Sequence, residues 1–161
     1  MSILVVSGNP RAGSRTSTLA AAVGEAVAQR LGLGAPATVE VGDLGAGLLT
    51  PGDEPTAAAV TALREADVLV VATPTYKGSY TGILKVLLDQ LPASALAGKR
   101  AVPVVTAGVA PQAEAAAALL SQLLRELGAD VAPALPVVES QLTEAAALAK
   151  AYADALDTTS R

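Results

Sequence analysis

The chain has 161 residues, of which 52% are hydrophobic and 16% are charged, so it is long enough and apolar enough to bury one sizeable core. Its net charge of -4 argues against a general nucleic-acid-binding protein, which needs a basic surface. The absence of Cys and His excludes disulfides, thiolate or imidazole metal ligands and Ser-His hydrolysis. We therefore expect a single domain over residues 1–161 that binds neither nucleic acid nor a metal ion.

We expect no secretory signal, since the short apolar run after Met1 and Ser2 has no basic leader before it. No apolar run approaches the roughly 20 residues that a membrane helix needs. We expect a cytoplasmic protein without membrane association.

Apolar runs and helical stripes divide the chain into alternating strands and helices. In chain order we predict a strand over residues 3–7, a helix from about residue 16 to the glycines at 32 and 34, a strand over 38–41, a glycine- and proline-rich loop over 42–55, a helix over 56–64, a strand over 67–73, a helix over 79–91, a strand over 100–108, a helix over 112–127, a proline-interrupted edge strand over 130–138 and a helix over 142–156, followed by a short polar tail. This alternation predicts the α/β class, with a doubly wound parallel sheet of five strands. Ligands of such sheets bind at the carboxyl ends of the strands, near the point where the strand order reverses.

The loop after the first strand, SGNPRAGSRTST (residues 7–18), combines two arginines with several hydroxyl groups at the start of a helix. Hydroxyls, guanidinium groups and the free N–H groups of a helix N-terminus together form a phosphate site. The loop matches neither the Walker A pattern nor the Gly-x-Gly-x-x-Gly dinucleotide pattern. The alternative is a polar turn with a Ser or Thr helix cap.

The loop TPTYKGSY (residues 73–80) holds two of the three tyrosines in a chain without Phe or Trp. Tyr76 offers a flat contact to a planar ligand, Gly78 permits close approach of backbone, and Lys77 offsets negative charge on a reduced ring. The alternative is that Tyr76 and Tyr80 pack against another subunit or the edge of the core. The loop TAGVAP (residues 106–111) suits backbone contact with a ring edge, or is a plain turn.

A phosphate loop and two loops for a planar ring point to a mononucleotide with a large flat ring, namely FMN. The segments SGNPRAGSRTSTLA, ATPTYKGSYTGILKVLLDQLP and VVTAG resemble the phosphate loop and the two flavin loops of the NADPH-dependent FMN reductase family, whose fold is flavodoxin-like. The resemblance covers residues 3–138 and is strongest to reductases that supply reduced flavin to sulfonate-degrading monooxygenases. One departure is Asn9, where the family usually has Ser.

The resemblance implies a cofactor site and no catalytic side chain, because hydride passes from NADPH or NADH directly to the flavin, with Lys77 in an electrostatic role. The implied phosphate ligands are Asn9, Arg11, Ser14, Thr16 and Ser17. The implied ring contacts are Pro74, Thr75, Tyr76, Lys77 and Gly78, with Thr106, Ala107 and Gly108 at the pyrimidine edge. It also implies a homodimer or homotetramer and a flavin-dependent monooxygenase as partner.

Two other functions suit the same loops. One is a reductase of quinones, azo compounds or metal ions that keeps its flavin bound. The other is a flavodoxin-like electron carrier, against which the two loop arginines and the modest net charge argue. A regulatory binding module without turnover is a further alternative.

Overall fold

In the computed structural model, which describes residues 1–159, strands and helices alternate as the hydrophobic pattern predicts. The strands are β1 (Ile3–Ser7), β2 (Ala37–Glu40), β3 (Val68–Pro74), β4 (Arg100–Ala107), β5 (Asp130–Val131) and β6 (Leu135–Val138). The helices are α1 (Arg15–Leu31), α2 (Val41–Leu44), α3 (Glu54–Glu65), α4 (Gly82–Asp89), α5 (Ala110–Glu126) and α6 (Ala145–Ala155), with 3-10 helices at Gly45–Leu49 and Glu139–Glu144. The last two residues of the predicted polar tail lie outside the described residues.

All strand pairs of the sheet are parallel, and the order is β2-β1-β3-β4 with β5 and β6 both along the outer edge of β4. Counting β5 and β6 as one interrupted strand, the order is 2-1-3-4-5, which is the flavodoxin-like doubly wound order. Pro133 lies in the interruption, where its missing N–H costs no ladder hydrogen bond. The predicted proline-interrupted edge strand is therefore confirmed.

The central strands are buried on both faces, which explains their continuous runs of Val, Leu and Ile. Alternate residues of β1 enter opposite cores: Val5 packs with α1 and α6, and Val6 with α3, α4 and α5. Gly24 lets α1 approach the sheet closely, because a Cβ there would collide with Cγ2 of Val5. A chain without Phe or Trp thus fills two cores with leucines, valines and alanines.

Three predicted elements differ from the structure; one is the closing helix, because residues 142–144 belong to the 3-10 helix Glu139–Glu144 and α6 begins only at Ala145. The loop prediction is wrong for residues 42–49, which form most of α2 and a 3-10 helix, and Val41 begins α2 rather than ending the strand; Val41 and Leu48 are both buried in the core. Helix α4 begins at Gly82 rather than at Ser79, since Ser79 is held in a tight turn and Thr81 caps the helix. Among the described helices, none is long and apolar enough to cross a membrane.

Candidate functional site

The first loop lies between the buried end of β1 and the start of α1. Ser14 caps the helix, and its hydroxyl accepts a hydrogen bond from the Ser17 N–H at 3.2 Å. The Asn9 carboxamide oxygen accepts from the Arg11 N–H at 2.9 Å, and its NH2 donates to the Thr16 hydroxyl at 3.4 Å. Asn9 therefore shapes the loop around its own side chain, while the Arg11 side chain stays exposed at its rim.

A chain of hydroxyl groups lies beneath this loop. The Ser17 hydroxyl donates to Oε2 of Glu40 at 3.0 Å and shares hydrogen bonds with the hydroxyls of Ser7 at 2.7 Å and Ser14 at 3.1 Å. A carboxylate only accepts, so the single Ser17 proton goes to Glu40 and Ser17 accepts from Ser7. The Ser17 hydroxyl is thus turned toward the interior. Sequence reasoning missed Glu40, although its position at the end of β2 was a usable signal.

The second loop contains a tight turn over residues 76–79. Tyr76 and Ser79 exchange two backbone hydrogen bonds of 2.9 and 3.2 Å, and both intervening residues have positive φ, 52° at Lys77 and 82° at Gly78. Positive φ at both positions defines a type I′ turn, which favours glycine at the second. Lys77, at the tip of the turn, is exposed to solvent. Tyr76 is 49% exposed and lines the cavity that lies between the loops.

Thr81 connects the second loop to the first. Its buried hydroxyl donates to the Gly8 carbonyl at 2.6 Å and accepts from the Leu84 N–H at 3.3 Å, which caps α4. Its own N–H donates to the Thr73 hydroxyl at 3.1 Å. One threonine thus fixes two candidate ligand loops against each other, a role that the sequence pattern did not indicate.

The third loop follows β4 and is joined to both of the others. The Thr106 hydroxyl lies 3.1 Å from that of Thr16, and the Thr106 carbonyl accepts from the Thr75 hydroxyl at 2.9 Å. Ala107 is buried, whereas Gly108 is exposed at the edge of the sheet. The three predicted loops therefore meet at one end of the sheet.

A cavity of about 570 Å³ opens between these loops, within the size range of small-molecule sites. Seven of the predicted residues line it: Asn9, Arg11, Ser14, Thr16, Pro74, Tyr76 and Thr106. The remaining predicted residues, Ser17, Thr75, Lys77, Gly78, Ala107 and Gly108, lie in the same loops without lining the cavity.

The 3-10 helix after β6 completes the wall of the cavity. Glu139 and Leu142 line it together with Pro10 and Arg15. The carboxylate Oε2 of Glu139 lies 3.8 Å from Nη2 of Arg15, and both side chains are largely exposed. Glu139 was not predicted, although it follows the last strand and so lies at the carboxyl edge of the sheet.

The donors around the cavity suit a ligand with a phosphate at one end and a flat ring at the other. Arg11, Arg15 and the N-terminal turn of α1 supply positive charge and N–H groups for the phosphate. Pro74 and Tyr76 supply flat apolar surface, and Thr106 supplies polar groups at the ring edge. The residues present therefore fit FMN, and the fold defines a protein of the flavodoxin-like doubly wound class.

Comparison with known proteins identifies the family. The model of the NADPH-dependent FMN reductase family matches residues 1–143, and the chain belongs to that family. An FMN reductase (NADPH) of Escherichia coli is 56% identical over 46 residues, 29% of this chain and 24% of that protein. The NADH-dependent FMN reductase SfnF of Pseudomonas putida is 37% identical over 110 residues, 65% of this chain and 58% of its own length. The matched segments thus span from a quarter to somewhat over half of these two relatives.

A solved structure described as the apo form of the NADH:FMN oxidoreductase EMOB superposes with a TM-score of 0.79. It is 31% identical to this chain, and the match covers 98% of this chain and 91% of that one. The fold of the family therefore extends over essentially all the described residues.

Proposed function

We propose that this protein is an NAD(P)H-dependent FMN reductase. The observation that carries the proposal is the convergence of the arginine loop, Tyr76 and Thr106 on one cavity at the switch point of the sheet. Membership of the FMN reductase family supports the same reaction, as do the names of the relatives.

In this proposal the chain binds and orients FMN by side chains and backbone of its three loops. The phosphate is held by Asn9, Arg11, Ser14, Thr16 and Ser17, the last through the hydroxyl chain that orders the loop, and Arg15 adds positive charge beside it. The ring lies against Pro74, Thr75, Tyr76, Lys77 and Gly78, and its pyrimidine edge meets Thr106, Ala107 and Gly108.

When bound, FMN supplies the hydride-accepting chemistry, and the nicotinamide nucleotide is the hydride donor. No acid-base side chain is needed, which suits a chain without His. We assign Lys77 an electrostatic role from the exposed turn beside Tyr76, since a cation in this loop stabilises the negative charge that develops on the ring during reduction.

The wider context follows from the same proposal. A reductase of diffusible flavin needs an acceptor for its product, and we propose a flavin-dependent monooxygenase in the cytoplasm. A homodimer or homotetramer is supported by Leu49, which is 79% exposed beside the half-buried Val86 of α4. Light scattering of the purified chain tests this assembly.

The decisive experiment mixes the purified chain with FMN and either NADPH or NADH and follows nicotinamide oxidation with and without excess free flavin. We expect turnover that rises with free FMN, and the two nucleotides compared side by side give the preference. Turnover only with an added quinone, with flavin retained on dilution, favours the bound-flavin reductase. Flavin binding without nicotinamide oxidation favours the electron carrier, and absence of FMN binding refutes the proposal.

A further inference from the structure

The wall of the cavity contains one carboxylate that opposes a phosphate ligand. Two cations, Arg11 and Arg15, face the place assigned to the phosphate, and Glu139 lies against the second of them. FMN carries close to two negative charges on its phosphate at neutral pH. Without Glu139 the site would offer that phosphate two unpaired cations.

The contact between Arg15 and Glu139 is loose. A single pair of atoms lies at 3.8 Å, beyond hydrogen-bond length, and the side chains are 69% and 54% exposed. An exposed pair of this kind is weak, so a ligand with a stronger charge can replace one partner. A phosphate forms shorter, charge-assisted hydrogen bonds with an arginine than Glu139 forms here.

The two partners come from separate parts of the chain. Arg15 is the first residue of α1, and Glu139 begins the 3-10 helix after β6. Their pairing places a negative charge beside the N-terminus of α1, which has Arg11 in its preceding loop and Arg15 as its first residue. Glu139 thus lines the cavity with a largely exposed carboxylate and is not a core residue.

We infer that Glu139 sets the phosphate discrimination of the site: its carboxylate competes with the ligand phosphate for Arg15 and so keeps FMN exchangeable. This inference rests on the proposed function. It gives a physical reason why FMN would bind weakly enough to act as a diffusible substrate. The carboxylate lowers the preference for FMN over riboflavin, which has the same ring without the phosphate.

The test is Glu139→Gln, which keeps the shape of the side chain and removes its charge. Exposed ion pairs predict about two- to fivefold tighter FMN binding, with riboflavin affinity unchanged. The dissociation rate of FMN should fall by a similar factor. High salt should reduce the difference between variant and wild type, because it screens both interactions.

Two further variants isolate the contact. Glu144→Gln removes an equal charge from the other end of the same 3-10 helix, away from the cavity, and should leave FMN affinity unchanged. In a chain that also carries Arg15→Gln, Glu139→Gln should change FMN affinity by less than half as much as it does in the wild type. Both changes are compared as the logarithm of the ratio of FMN affinities with and without Glu139→Gln. Circular dichroism of each variant checks that the fold is retained.

The outcomes separate this inference from the proposed function. A wild-type chain that does not bind FMN overturns both. Wild-type binding of FMN together with unchanged or weaker binding by Glu139→Gln overturns the inference alone. Equal tightening of FMN and riboflavin, equal tightening by Glu144→Gln, or an undiminished effect without Arg15 also overturns it.

Discussion

Replacing Thr81 by Val removes one hydroxyl that serves two elements at once. The buried Gly8 carbonyl loses its donor at 2.6 Å, and the Leu84 N–H loses the cap of α4. Loss of a helix cap costs about 1 kcal/mol, and an unsatisfied buried acceptor costs about 1–3 kcal/mol. We expect Thr81→Val to lower the free energy of unfolding by about 2–4 kcal/mol, or the Tm by roughly 5–15 °C in a chain of this length.

Urea denaturation followed by circular dichroism measures this loss, and Thr81→Ser is the matched control. Serine keeps the hydroxyl and removes only a buried methyl group, so it should cost about 1 kcal/mol. The valine variant should also bind FMN more weakly than the serine variant, because the two loops lose their connection. A valine variant as stable as the serine variant would show that the hydroxyl does not join the loops energetically.

Three further predictions concern the site and the edge of the fold. Arg11→Ala should weaken FMN binding by about 1.5–3 kcal/mol, roughly 10- to 150-fold, and spare riboflavin; a fluorescence titration with equal losses for both flavins would remove Arg11 from the phosphate site. Lys77→Ala should lower the reduction potential of the bound flavin while changing the affinity for oxidised FMN little, whereas Tyr76→Ala should chiefly weaken the binding of oxidised FMN. If both variants keep the wild-type flavin affinity and potential but form smaller oligomers, this loop is an interface between subunits. Burial raises the pKa of Tyr152 to about 12, against the opposing effect of Arg100. The folded chain then keeps a proton that the unfolded chain loses above pH about 10, so stability should fall by about 1–2 kcal/mol between pH 10 and 12. Thermal melts of Tyr152→Phe should lack that loss, and parallel pH profiles would contradict it.

Much of the fold follows from local pattern. Continuous apolar runs require strands that are buried on both faces, and only a sheet covered by helices on each side provides such burial. The short helical segment at residues 41–49 escaped prediction, because Val41 and Leu48 become core residues only once α4 packs above them. The late start of α4 depends on Thr81, which caps the helix and whose hydroxyl is held by the distant Gly8 carbonyl.

The sequence was sufficient to predict which loops form the site. Arginines and hydroxyls after the first strand, and the tyrosine after the third, indicate a phosphate and a flat ring wherever the strand ends meet. The direction in which each side chain points could not be predicted from the sequence. Ser17 is one of several similar hydroxyls in the sequence, yet its proton goes to Glu40 because β2 lies beside β1.

The sequence by itself determined the α/β alternation, the family and the three loops that carry cofactor chemistry, because each depends on residues close together in the chain. The tertiary structure alone decided which residues complete the site. Glu40, Thr81 and Glu139 belong to segments that are separated from their partners by 23, 73 and 124 positions in the chain. Hydrogen bonds and ion pairs over such separations exist only after the sheet has brought the strand ends together, so a position at a strand end can indicate a candidate residue but not its partner.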